Sequence, residues 1–271
     1  MTEGEFQQYS LYTFQNFGIN LGREKKALLE SRLYKLFNSE ILPRECRNTA
    51  AFYQCLQQDK DGSMRELFSS VITTNHTYFM RESDHFRIFA EEVLPYWGDQ
   101  IKNGDVRTWC AACSSGEEAY TLAMILQDFF SLRPGFWDIS LLATDLSPRV
   151  LRQAKQGIYA REAVNSLPLH WQQAYFRHLG SEKMQVVPQL QRQIIFRRFN
   201  LMDNFPFRKP FHTIFCRNVM IYFDIETRQK LARKLYDYLE PGGFLFIGHS
   251  EVIDRTNIPF SYVMPSVYRK V

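Results

Sequence analysis

Arg217 and Asn218 stand directly after an apolar run, Phe211 to Cys216. A buried strand that ends in a charged and an amide side chain delivers them to the carboxyl edge of a sheet. In open α/β sheets that edge is the ligand crevice. A second strand-like stretch, Val106–Cys113, runs into Ser114-Ser115-Gly116-Glu117-Glu118, which opens a helix. A glycine-containing strand-to-helix turn is a common nucleotide site, yet no G-x-G-x-x-G is present and the turn carries two acids. Those glutamates suit a helix N-terminus but repel a pyrophosphate. The turn therefore fits a cofactor with hydroxyls and an amine and no phosphate, and S-adenosylmethionine is such a molecule. Glu118 is the acid expected to meet it, whereas Glu117 is read equally well as a helix starter. The next strand ends at Asp145, before Leu146-Ser147-Pro148. An acid there typically bonds ribose hydroxyls. Asp-x-Ser-Pro also reads as a cap, and one carboxylate has acceptor sites enough for both roles.

Other chemistries fit less well. Trp109-Cys110-Ala111-Ala112-Cys113 at a strand-to-helix turn is how thioredoxin-like oxidoreductases present their thiols. Here the following acids raise a thiol pKa rather than lower it. A zinc site lacks a second cysteine pair. His76, His85, His170, His178, His212 and His249 are scattered without metal spacing, with His249 alone expected near the site. No metal is expected.

The elements that must hold these residues are legible from periodicity. The chain has 271 residues, enough for one large domain or a medium one with a small companion. At 45% hydrophobic and 15% aromatic it can build a sizeable core, and its net charge of +4 demands no anionic partner. No apolar run approaches the roughly 18 residues of a membrane span. The polar start, Met1-Thr2-Glu3-Gly4-Glu5, is not a secretory signal, and five cysteines do not suggest a disulfide framework. A reducing, cytoplasmic setting is expected.

From Phe6 to about Ser70 the apolar residues fall at helical spacing. Leu29, Leu33, Leu36 and Phe37 make one stripe, and further helices are expected near Thr49–Gln57 and Ser63–Ile72. From Val106 onward strands alternate with helices: Val106–Cys113, Gly116–Phe130, Ile139–Thr144, Pro148–Tyr159, Phe211–Cys216, Ile225–Leu239 and Phe244–Gly248. That rhythm predicts a mostly parallel sheet covered on both faces. Ser261–Val271 alternates and is expected to add an antiparallel edge strand. Gln185-Val186-Val187 and Gln193–Phe199 are too short for another crossover unit and predict a small β insertion. The expected organisation is an N-terminal helical domain at 1–73 and a linker with a connecting helix at 74–98. The α/β domain follows at 99–271, with the insertion at about 160–199.

Five segments also resemble, in order, the motifs of the chemotaxis receptor methyltransferases, the CheR family. They are Thr74–Glu82, Trp109–Tyr120, Ala143–Tyr159, Arg217–Phe223 and Gly243–Glu251. The departures are Met80 where Phe is usual, Ser115 where Thr is usual and Ala119 where Pro is usual, and none removes a polar contact group. The resemblance implies a Rossmann-like methyltransferase fold, with a seven-stranded sheet whose last strand is antiparallel. It implies S-adenosylmethionine as cofactor and S-adenosylhomocysteine as product. Carried over by motif position, the cofactor contacts are Asn75, Thr77, Arg81, Glu118, Asp145, Asn200, Leu201, Arg217 and Asn218. Leu201 would offer the adenine an apolar surface.

The implied reaction is attack by a substrate glutamate carboxylate on the S-methyl group. A glutamate of ordinary pKa, about 4.3, is ionised at neutral pH and needs no general base. Arg81 and Tyr222 are the residues expected to hold that carboxylate. A methyltransferase of the same fold acting on nucleic acid or a small molecule, and a non-enzymatic cofactor sensor, are the competing readings. The linker motif and the helical N-terminus argue against the first. The implied partner is the acidic helical bundle of a chemoreceptor's cytoplasmic domain, with no nucleic acid and no membrane insertion. Arg23, Lys25, Lys26, Arg32 and Lys35 form a basic helix that could dock it. Arg192, Arg197 and Arg198 are expected in the insertion, which in this family can bind a receptor tail peptide by strand addition.

Overall fold

The computed structural model describes residues 1–271. Four helices open the chain: α1 (Glu3–Phe17), α2 (Lys26–Phe37), α3 (Thr49–Gln57) and α4 (Ser63–Ile72). A capping box of Thr2 and Glu5 starts α1, and Gly18 in the left-handed region ends it. The Asn48 side chain caps α3 through the Ala51 N–H. Leu29 and Leu33 of α2 are buried, with Leu36 and Phe37 packed against the same core. An extended loop then leads into a continuous helix made of α5 (Ser83–Ile88), a π-helical stretch (Phe89–Val93) and α6 (Leu94–Gln100).

Ten strands follow, interleaved with six helices. They are β1 (Thr108–Ala111), α7 (Glu117–Ser131), β2 (Leu141–Asp145), α8 (Pro148–Gln156), β3 (Ile158–Ala160), α9 (Arg161–Val164), α10 (Leu169–Tyr175), β4 (Phe176–Leu179), β5 (Lys183–Val186), α11 (Pro188–Gln193), β6 (Ile194–Arg198), β7 (Phe211–Cys216), α12 (Ile225–Asp237), β8 (Leu239–Ile247), β9 (Phe260–Met264) and β10 (Val267–Lys270). The main sheet has the order β6-β2-β1-β7-β8-β10-β9. Neighbours from β6 to β8 are parallel, and β10 alone runs against the rest. Every residue of β7 is buried, which is why it reads as an unbroken apolar run rather than an alternating one.

The sheet separates two cores. One holds α5 to α7 and the small sheet. The other joins α1 to α4 with α12 and the opposite sheet face, including Trp109, Ile214 and Leu245. Trp109 is fully buried and gives its Nε1–H to Thr144 Oγ1 at 2.9 Å, pinning β1 to β2 by side chain as well as backbone.

Three expectations change. Gln193–Phe199 was expected in the insertion, but β6 is the edge strand of the main sheet, in parallel register with β2. Its two inward residues, Ile194 and Phe196, alternate with exposed Ile195 and Arg197, a half-buried edge pattern too short to announce a crossover. Arg197 and Arg198 therefore lie on the main sheet and Arg192 on α11. The insertion's own sheet is β3-β5-β4. Ser261–Val271 is not one edge strand but a hairpin, turned at Pro265-Ser266 with Ser266 left-handed, and β10 lies inside the sheet. Finally, Cys46 and Cys55 form a disulfide that closes a local loop onto α3, while Cys110, Cys113 and Cys216 are free and buried.

Candidate active site

All ten residues singled out above for cofactor or substrate line one cleft at the carboxyl ends of β1, β2 and β7: Asn75, Thr77, Arg81, Glu118, Asp145, Asn200, Leu201, Arg217, Asn218 and Tyr222. Phe17 and Ile72 from the N-terminal helices, with Ile19 from the segment after α1, also line it. The loop at 74–79 crosses the cleft and is held at its start by Arg32. That arginine donates to the carbonyls of Val71 and Thr73, at 2.9 and 3.1 Å, and to Thr74 Oγ1 at 3.1 Å.

The turn after β1 takes its shape from left-handed backbone at Ala112, Ser114 and Gly116. A Cβ at Gly116 would come within 2.9 Å of the Ala154 Cβ, so α7 can approach α8 only with glycine there. The turn aims the Ser114 N–H at Asp145 Oδ2, at 2.8 Å, while Asp145 Oδ1 accepts from the Ser147 N–H at 2.9 Å. Burial pushes the Asp145 carboxyl up, against these backbone donors. Each oxygen has an acceptor site left beyond its backbone donor, enough for two hydroxyls. Glu118 lines the cleft and Glu117 does not; Glu117 accepts from Ser115 Oγ beside the helix start.

Arg217 is the electrostatic centre. Its side chain is 1% exposed. It gives Nη1–H to Glu118 Oε2 at 2.6 Å and Nη2–H to Glu82 Oε2 at 2.9 Å and to the Arg81 carbonyl. Its guanidinium also lies 5.2 Å from the Phe86 ring centroid. Burial lowers its pKa, but Glu118 and Glu82 outweigh that and leave it raised. Glu82 shows the mirror effect. Burial lifts its carboxyl, and donors from Asn218 and Arg217 overcome this and hold it at about 2. Glu82 sits at φ +56, so its chain turns in a conformation that costs a non-glycine residue energy.

A matched pair of acids therefore brackets the Arg-Asn loop. The second is Glu251, which is buried and accepts backbone N–H bonds from Gly248, Asn218 (3.0 Å), Met220 (2.6 Å) and Ile221 (3.2 Å). Burial raises its carboxyl despite them. Gly248 is needed for this approach, because a Cβ there would meet Asn218 Nδ2 at 2.5 Å.

The family description "CheR methyltransferase, SAM binding domain" matches residues 75–268. The chain is 40% identical to the chemotaxis protein methyltransferase of Borreliella burgdorferi, over 100% of this chain and 95% of that one. It is 34% identical to chemotaxis protein methyltransferase 1 of Pseudomonas aeruginosa, over 96% and 93%. It is 32% identical to that of Escherichia coli, over 99% and 90%. The chain belongs to the CheR methyltransferase family.

The donor set suits the cofactor of a CheR methyltransferase. Glu118 Oε1 and Oε2 each spend one acceptor site, on Cys110 Sγ (3.2 Å) and Arg217, and keep another for an amine. Leu146, Phe199 and Leu201 supply an apolar wall for a base. Asn200 ties this wall to α1, giving its Nδ2–H to the Asn16 carbonyl at 2.8 Å. Arg81 turns back to donate Nη1–H to the His76 carbonyl at 2.8 Å, and the Tyr222 hydroxyl reaches the Thr74 carbonyl only at 3.4 Å. The Asn75 amide makes only a long contact, 3.4 Å, to Thr73 Oγ1. Burial and the neighbouring acids raise the Cys110 and Cys113 thiols well above their ordinary value, so neither is primed as a redox nucleophile.

Sequence reasoning missed Glu82 and Glu251 as working residues. Both stand inside quoted motifs, but nothing local says that Glu82 reaches Arg217 and Asn218, or Glu251 the N–H groups of Asn218, Met220 and Ile221, across the fold. It also missed that His85 and His249 meet, with ring centroids 4.7 Å apart. Their donor atoms and that of Glu82 lie within 4.8 Å of one another. Both Glu82 oxygens already accept N–H bonds and the Arg217 guanidinium stands beside them, which disfavours a cation there, while both ring nitrogens of His85 are buried without a hydrogen-bond partner.

His85 carries a pH prediction. Burial, with Arg217 nearby, pulls it down to about 3, and burial with Arg107 nearby pulls His212 down to about 4. In the unfolded chain both protonate near 6.5. Below that pH the unfolded state therefore binds more protons. Stability falls by about 1.4 kcal/mol per pH unit for each histidine until its folded pKa is reached. Urea midpoints should drop from pH 6.5 toward pH 5, and His85→Leu should flatten the slope. An unchanged slope in that variant removes His85 as a source.

Proposed function

We propose that this protein transfers the methyl group of S-adenosylmethionine to glutamate side chains on the cytoplasmic domains of chemoreceptors. The products are γ-glutamyl methyl esters and S-adenosylhomocysteine. One observation carries the reading most. The residues that family motifs nominate from five separated segments line a single cleft, and its acids offer sites for hydroxyls and an amine but none for a phosphate.

When bound, the cofactor supplies a methyl group on a positively charged sulfur. The protein's work is to hold and orient. In this reading Asp145 takes the hydroxyls, Glu118 the amine, and Leu201 with Phe199 the base. No histidine or cysteine is asked to act as a base, since the substrate glutamate enters as its carboxylate. Arg81 has guanidinium donors left beyond its bond to His76, and a guanidinium fork matches a carboxylate. Tyr222 has a weakly committed hydroxyl at the same wall. Tyr222→Phe should lower turnover about tenfold with cofactor affinity within twofold, read from initial rates and from S-adenosylhomocysteine titration. Unchanged turnover takes Tyr222 out of the mechanism.

The N-terminal helices supply the partner surface in this reading. Arg23 and Lys26 both pair with Glu3 and Arg32 holds the loop at 74–79, which leaves Lys25, 5.6 Å from the Tyr222 ring centroid, and Lys35 without a side-chain ion pair or hydrogen bond. They face an acidic bundle best. The β3-β5-β4 sheet has two open edges, which suit a receptor tail added as a strand. No helix is long and apolar enough to cross a membrane. We place the protein in the cytoplasm, recruited to receptors. A receptor cytoplasmic fragment tests the reading. Its glutamates should gain 14 mass units only with S-adenosylmethionine present, and a fragment with those positions changed to glutamine should gain none. Labelling of both fragments alike would overturn it.

A further inference from the structure

Two carboxylates, one lining the cleft and one behind it, share one arginine. Glu118 lines the cleft; Glu82 lies behind it. Arg217 gives one terminal nitrogen to each, at 2.6 and 2.9 Å. Because its guanidinium is shut away from water, its positive charge is offset by those two carboxylates rather than by solvent. How that charge is divided decides how much negative potential Glu118 presents to the cleft. Glu82 also fixes the Asn218 amide, accepting its Nδ2–H at 3.0 Å, and accepts the His249 N–H at 3.3 Å. It thus gathers three chain segments: the loop that crosses the cleft, the end of β7 and the end of β8.

Resting on the reading of the cleft as a cofactor site, we infer that Glu82 is a positioning residue that sets the site's affinity for the α-ammonium end of the cofactor, acting through Arg217 on Glu118. With Glu82 neutral, Arg217 falls wholly to Glu118. The Glu118 carboxylate is then more fully compensated and draws a cationic amine less strongly. Leu201 and Asp145, assigned above to the base and the ribose, share no bond with Arg217 or Glu82, so their contacts stay as they are. A residue that only holds the fold together would weaken every ligand alike.

The test compares two probes on the whole chain by titration calorimetry. S-adenosylhomocysteine carries the ammonium, and 5′-methylthioadenosine is the nucleoside thioether without the amino acid. Glu82→Gln should weaken S-adenosylhomocysteine about tenfold, a loss typical of coupled contacts in one polar network, and 5′-methylthioadenosine less than twofold. Equal weakening of both probes, or of neither, overturns the inference. Wild-type protein that binds neither probe overturns the reading of the cleft itself, which separates the two failures. Should Glu82→Gln not fold, Glu82→Asp carries the same comparison. Its carboxylate ends one methylene short of Arg217, so S-adenosylhomocysteine must still lose more than 5′-methylthioadenosine, and equal losses count against the proposal.

Discussion

Arg217→Met should abolish S-adenosylhomocysteine binding and lower the unfolding free energy by about 3–5 kcal/mol, the cost of removing one partner from a buried ion pair. The arginine side chain is 1% exposed and touches both Glu82 and Glu118. Methionine fills most of the volume but leaves two carboxylates in the interior without their cation. One must take up a proton or move toward water, and either change dismantles the cleft wall. Glu82, held at about 2 in the intact protein, should then titrate far higher. Urea denaturation and ligand titration read both effects. A variant of near wild-type stability that still binds the ligand would show that the triad is ornamental.

Glu251→Gln should cost about 2–4 kcal/mol and lower turnover roughly 10²-fold. The carboxylate accepts four backbone N–H bonds, from Gly248, Asn218, Met220 and Ile221. A glutamine offers one acceptor oxygen and turns an NH2 group toward N–H donors, leaving buried donors unpaired at about 1–3 kcal/mol each. The loss falls on the short 3₁₀ turn Met220–Tyr222, which carries the tyrosine expected at the substrate. A shift of about 1 Å at a positioning residue is enough for that rate effect. Steady-state rates with saturating cofactor, beside a thermal melt, separate the two parts. A stable variant with normal turnover would show that Glu251 does not set the loop.

The parts of this architecture that a sequence can announce are those written in local patterns. Phe211–Cys216 was readable because a strand buried on both faces must be apolar throughout, and the structure begins and ends it there. Leu29 and Leu33 were readable because one helix face must enter the core. Edge elements were not. β6 alternates over only its first four residues, and nothing within them distinguishes the rim of a seven-stranded sheet from a small hairpin. The Pro241-Gly242-Gly243 segment reads as a turn, yet β8 runs through it with a shift of register against β7. The site divides the same way. Residues at strand ends point into a cleft by necessity, which is why Glu118, Asp145, Arg217 and Asn218 could be named. Glu82 works through contacts 135 to 167 positions away along the chain, and Glu251 through three that are 30 to 33 away. Such reach is a property of the fold. The Cys46–Cys55 bridge is legible only once the short 3₁₀ turn Arg44–Cys46 and α3 are placed, since an odd cysteine count argues against a framework and not against a single pair.

The most direct measurement of the central claim incubates the protein with S-adenosylmethionine labelled in its methyl group and a receptor cytoplasmic fragment, then treats the product with mild alkali. Label released as methanol is the result predicted, because only a carboxyl ester gives up its methyl group that way. Label that stays on the fragment through alkali, or no transfer while cofactor binding is intact, would contradict glutamate esterification by this cleft.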